Sequence, residues 1–68
     1  MNLTSRQLEA VRLASQGLTN AGIGARMGIS KNAVRNYLMR AAQILDLGTA
    51  TAGITRTRLA VWYVKTYE

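Results

Sequence analysis

Six glycines and no proline set the frame of this chain, at Gly17, Gly22, Gly24, Gly28, Gly48 and Gly53. The stretches between them carry apolar residues three and four apart, and none alternates convincingly with period two. That pattern predicts an all-α domain of four helices. With 68 residues, the chain is one domain with no room for a second. A domain of about this size buries only about 60% of its unfolded surface, so its core is thin.

The first helix is expected at about residues 5–16. Thr4 and Gln7 have the spacing of a capping box, and Leu3 with Leu8 that of a hydrophobic staple. Leu8 and Val11 share a face, with Ala14 and Ser15 a turn further on. Gly17 is the natural left-handed stop. Thr19 can cap a second helix at about 20–27, with Ile23 and Met27 as its buried stripe. Gly22 and Gly24 each cost this helix about 1 kcal/mol relative to Ala. It therefore needs tertiary support, and the missing side chains would let another helix approach closely.

Gly28-Ile29-Ser30 reads as a turn, with Gly28 free to take positive φ and Ser30 able to cap. The third helix is expected at about 31–45. Val34, Leu38, Ala41 and Leu45 form its apolar face, with Tyr37 and Ile44 at the edge. Half a revolution away lie Asn32, Arg35, Asn36, Met39 and Gln43, with Arg40 at the margin; this face holds no carboxylate. Residues 46–54 read as a loop. Thr55 can cap a fourth helix at about 55–67, with Ile54 and Leu59 in staple geometry. Leu59, Trp62 and Tyr63 point one way, Ala60, Val64 and Tyr67 to an adjacent side. Arg58, Val61 and Lys65 remain for water.

Composition narrows the function. Without Cys or His, neither a disulfide framework nor a zinc site is expected. The scarce carboxylates (Glu9, Asp46, Glu68) leave little for general acid–base work, so neither an enzyme nor a cofactor is expected. No apolar run approaches the ~20 residues of a membrane span. Met1-Asn2-Leu3-Thr4 lacks the features of a signal peptide, which makes a cytoplasmic location the default. Nine Lys+Arg against three Asp+Glu give a net charge of +6. Such a charge suits an anionic partner, nucleic acid or an acidic membrane surface, although solubility alone would also produce it.

The order of elements favours nucleic acid over membrane. A short helix, a three-residue turn with glycine and a longer helix make a helix-turn-helix, at about residues 19–45. Ile23 is an apolar plug, Gly24 a gap, Gly28 a left-handed position, and Val34, six residues later, a second plug. On a basic chain, this points to DNA binding.

The sequence resembles the LuxR-type (GerE-like) DNA-binding domain. The resemblance is carried by Leu3-Thr4-Ser5-Arg6-Gln7, Val11, Leu13, Gly17-Leu18-Thr19-Asn20, Ile23, Gly28-Ile29-Ser30, Val34, Tyr37-Leu38 and Leu45. A weaker likeness covers Arg56-Thr57-Arg58-Leu59-Ala60-Val61. The resemblance implies a four-helix domain, recognition of duplex DNA by the third helix and pairing of protomers through the fourth. The chain departs from the family pattern where Gln7 replaces Glu, Gly24 replaces Ala, Met27 replaces Leu, Ala33 replaces Thr and Tyr37 replaces His. The connection before the fourth helix looks longer than in the family.

By the same resemblance, Arg35, Asn36 and Met39 fall at positions that face bases, with Asn32 a further candidate. Arg can grip guanine O6/N7 and Asn adenine N6/N7, while Met39 suits a thymine methyl. Lys31, Arg40, Thr19, Asn20 and Ser30 are candidates for phosphate. Thr19 and Ser30 can equally be plain caps, and a cap sits where a phosphate would dock. Arg56 and Arg58, in the first turn of the expected fourth helix, would oppose its dipole by about 0.3–1 kcal/mol each. Either a phosphate offsets that cost or they are simply solvated. Leu59, Ala60, Trp62, Tyr63, Val64 and Tyr67 are the expected dimer surface.

Two functions are compatible with these residues. One is a transcriptional regulator, bacterial or phage-encoded, that binds duplex DNA as a homodimer. The other is a protein-binding module on the same scaffold, acting on RNA polymerase or another regulator. Arg40-Ala41-Ala42-Gln43-Ile44-Leu45 is similar to the end of sigma-factor region four.

Overall fold

The structure is a computed structural model and describes residues 2–48 and 52–67. The described residues form four helices and no strand: α1 (Ser5–Ser15), α2 (Asn20–Met27), α3 (Lys31–Ile44) and α4 (Ala52–Tyr67). α1 and α3 each pack against all three other helices, whereas among the described residues α2 and α4 share no packed face.

Local chemistry fixes most boundaries. The Gln7 amide donates to Thr4 Oγ1 at 3.2 Å, and the Thr4 amide donates to Gln7 Oε1 at 3.0 Å. The capping box is thus complete, and it satisfies two donors that an uncapped helix end would leave unpaired. α1 stops at Gly17, whose φ is 88°. The Thr19 and Ser30 hydroxyls accept from the Gly22 and Ala33 amides, each at 3.1 Å.

The turn between α2 and α3 is tight. Gly28 adopts φ 71°, and the Ile29 amide returns to the Gly24 carbonyl at 2.9 Å. A Cβ on Gly24 would lie 2.5 Å from the Ile29 carbonyl oxygen, well inside contact distance. The close approach expected at the two glycines therefore occurs at Gly24 alone, and the neighbour is the chain's own turn rather than another helix. At Gly22 a Cβ would meet nothing nearer than Thr19 Oγ1 at 3.4 Å.

The core joins Ala10, Val11, Leu13 and Ala14 of α1 to Ile23 and Met27 of α2, Val34, Leu38, Ala41 and Ala42 of α3, and Leu59 of α4. Ile23, Leu59, Val11 and Val34 are the largest fully buried side chains. Each contributes about 1.5–3 kcal/mol by leaving water. Leu45, the C-cap of α3, is half-buried and packs against this core at the end of the stripe.

The connection to α4 differs from the expected loop over 46–54. α3 closes through Asp46 at φ 55°, with the Leu47 amide on the Ala42 carbonyl at 2.9 Å. Aspartate tolerates this left-handed region better than most residues. Residues 49–51 of the expected loop lie outside the described residues. α4 begins at Ala52, so Thr55 is not its cap. Thr55 is buried inside the helix and Ile54 is 47% exposed, so Ile54 and Leu59 form no staple. The earlier start places Thr55 and Leu59, four residues apart, on one inward face. Among the described residues no buried side-chain nitrogen or oxygen lacks a hydrogen-bond partner.

Candidate nucleic-acid interface

The outer side of α3 follows from its inner side. With Val34, Leu38, Ala41 and Ala42 buried, a helix advancing about 100° per residue must turn residues 32, 35, 36, 39 and 43 outward. Asn32, Arg35, Asn36, Met39, Arg40 and Gln43 are all exposed, as is Lys31 at the N-terminal end. Tyr37 is half-buried at the edge of the core.

None of the four helices carries an acidic residue in its first turn. The positive ends of the helix dipoles are therefore not offset by local carboxylates. At α2 and α3 the capping hydroxyls of Thr19 and Ser30 already accept backbone amides, so both residues serve as caps.

The exposed face of α3 is flanked by two grooves. One, of about 350 Å³, is lined by Arg35, Leu38 and Met39 of α3, by Gly17, Leu18, Thr19 and Asn20 around the start of α2, and by Thr55 and Arg56 of α4. The other, of about 370 Å³, is lined by Ala33, Asn36, Tyr37 and Arg40 of α3 and by Gln7 of α1. Arg35 and Met39 thus share a groove with Thr19 and Asn20, while Asn36 and Arg40 face the opposite flank. Lys31, Asn32 and Ser30 line neither.

Three arginine contacts were not legible as sequence patterns. Arg56 Nη1 donates to Asn20 Oδ1 at 2.7 Å. Arg58 Nη1 donates to the Leu47 carbonyl at 2.8 Å, just past the end of α3. Arg6 Nη2 donates to the Met27 carbonyl at 3.3 Å, at the end of α2. Because α4 begins at Ala52, Arg56 and Arg58 do not sit in its first turn, and the expected dipole penalty does not arise. Arg6 and Arg58 instead place cations beside helix C-termini, where the dipole favours them. A basic residue within reach of terminal carbonyls was the available signal, but the partners are distant in sequence.

On α4 the expected dimer surface divides. Leu59 is 0% exposed and belongs to the core of the single chain, so it is not part of any surface. Ala60, Trp62 and Tyr63 are half-buried, and Val64 and Tyr67 are exposed. The Tyr67 ring lies edge-on to Trp62 at 6.0 Å and tilted against Tyr63 at 4.8 Å. Ile54 and Val61 add further exposed apolar area.

Residues 1–54 match the family of bacterial regulatory proteins of the luxR type. The chain is 37% identical over 62 residues to the response regulator RamR of Streptomyces coelicolor. That match covers 91% of this chain and 31% of the relative, so the chain spans about a third of the relative's length. No solved structure matches.

Proposed function

Because the chain belongs to the luxR family of bacterial regulatory proteins, we propose that it is a sequence-specific regulator of transcription that inserts α3 into the major groove of duplex DNA. The observation that carries this reading is the outer face of α3. It is exposed and free of carboxylates, and it presents Arg35 and Asn36 behind a tight turn. Arg35, Asn36, Met39 and Asn32 read base edges. Lys31, Arg40 and the capped starts of α2 and α3 at Thr19, Asn20 and Ser30 meet phosphate. Two protomers pair through Ala60, Trp62, Tyr63, Val64 and Tyr67 on a two-fold related site. The place of action is the nucleoid in the cytoplasm of a bacterium.

Selection of binding sites from a random duplex library at physiological salt tests the reading. Enriched inverted half-sites support it, and no enrichment even at low salt removes it. Arg35→Ala is expected to relax specificity at one base, at a cost of about 1–3 kcal/mol. Equal weakening on every sequence would make Arg35 a phosphate contact instead.

The exposed apolar side chains of α4, with Val61 48% and Tyr67 54% exposed, favour a second reading. In it the scaffold docks on RNA polymerase or another regulator. A pull-down in the presence of nuclease separates the two, because partners retained without DNA favour the protein-binding module.

A further inference from the structure

Arg56 ties together two helices that do not otherwise meet. α2 and α4 share no packed face among the described residues. Even so, the Arg56 guanidinium donates to the Asn20 side chain at 2.7 Å, across 36 positions of sequence. The opening between the two helices is the groove of about 350 Å³ beside Arg35 and Met39.

The identity of the partner is informative. Aspartate at position 20 would be the favoured residue in the first turn of α2, and it would cancel the charge of Arg56. Asparagine holds the guanidinium and leaves that charge whole. A guanidinium carries five donors in a rigid fork, so the bond to Asn20 holds one of them and limits where the others can point. The residues lining the groove include two arginines, Arg35 and Arg56, and no carboxylate. Two like charges on one groove repel, and an anion between or beside them relieves that repulsion.

We propose that Arg56 is a phosphate-binding residue of the DNA interface and that Asn20 is its positioning partner. The inference rests on the DNA reading of α3 given above. With α3 in the major groove, the groove beside Arg35 receives the sugar–phosphate strand at the rim, and Arg56 grips a phosphate there through its planar fork. Asn20 then serves the phosphate contact assigned to the start of α2 through Arg56, which it aims at the strand.

Titrations of the whole chain against its selected duplex and an unrelated duplex, across a range of salt, test this. Arg56→Ala should weaken both complexes by about tenfold. It should also flatten the dependence of log affinity on log salt by about 0.9. Arg56→Lys keeps the charge and should restore the slope, with only part of the affinity because the fork is lost. Asn20→Asp keeps an acceptor for Arg56 but neutralises it. It should flatten the slope as Arg56→Ala does, while melting no lower than the wild type, since a carboxylate suits the first turn of a helix. An unchanged slope in Arg56→Ala, or in a folded Asn20→Asp, overturns the proposal and makes the pair a structural strut. Failure of the wild type to bind either duplex would instead overturn the DNA reading, and this inference with it.

Discussion

α3 and α4 are of similar length, 14 and 16 residues, yet they face solvent in opposite ways. α3 buries four apolar residues, Val34, Leu38, Ala41 and Ala42, and turns amides and arginines outward. α4 commits only Leu59 and Thr55 fully to the interior among its described residues, and leaves Ile54, Val61, Val64 and Tyr67 more than two-fifths exposed. A surface is shaped by what has to cover it. A charged and amide-rich face remains hydrated until an anionic, hydrogen-bonding partner replaces the water. An apolar face gains by being covered with protein. The family match ends at residue 54, just inside α4, whereas the likeness to the response regulator covers 91% of the chain and continues into α4.

The largest effect is expected where α4 is anchored. Leu59 is 0% exposed, and its truncation to Ala removes the main side chain that holds α4 on the core. Leu59→Ala should cost about 2–5 kcal/mol. In a domain this small that is a fall in Tm of about 10 °C or more, with amide exchange rising first along α4. A change of only about 2 °C would mean that α4 docks by other contacts, and the contrast with α3 would have to be redrawn.

Gly24→Ala tests what holds α3 in place, and two principles disagree about its sign. Helix propensity alone predicts stabilisation by about 1 kcal/mol. The new Cβ, however, would stand 2.5 Å from the Ile29 carbonyl oxygen, which is backbone and cannot rotate away. The expected outcome is therefore destabilisation by about 1–3 kcal/mol, as in other overpacked sites. Thermal melts decide the sign. A more stable variant would mean that the turn relaxes easily and that the orientation of α3 is softer than this packing implies.

The same contact shows which parts of the molecule could be read in advance. The capping box at Thr4 and Gln7, the caps at Thr19 and Ser30, and the left-handed stops at Gly17 and Gly28 all stand where the sequence places them. Each depends on atoms within a few residues, so the local pattern contains the whole argument. The outward face of α3 was legible for a related reason, because periodicity fixes which residues lie opposite the buried stripe. The start of α4 was not. Thr55 has the chemistry of a cap, but burying it beside Leu59 is decided by packing against other helices. Nor could Arg56 and Arg58 be placed, since their acceptors lie 36 and 11 positions away. Asp46 at positive φ was missed because glycine, the usual signal, comes two residues later at Gly48. Of the candidate interface, the exposed residues were readable. The grooves that sort them, with Arg35 and Met39 on one flank and Asn36 and Arg40 on the other, exist only once the helices are assembled.

The smallest effect on stability belongs to the exposed faces themselves, and it tests the comparison most directly. Val64 is 46% exposed and Met39 38%. Replacing either with Lys should change the stability of the dilute chain by no more than about 0.5 kcal/mol. The two variants should part company when protein concentration is raised about a hundredfold. If α4 pairs two protomers, association stabilises the folded state by mass action, and the Tm of the wild type rises with concentration. Val64→Lys, which puts a charge into the apolar face, should abolish that rise. Met39→Lys should keep it, because its side chain lies on the outer face of α3, the face proposed to meet DNA. A wild-type Tm that does not move with concentration would show that α4 does not pair with its own copy in solution. The apolar face would then belong to a different protein, as in the second functional reading.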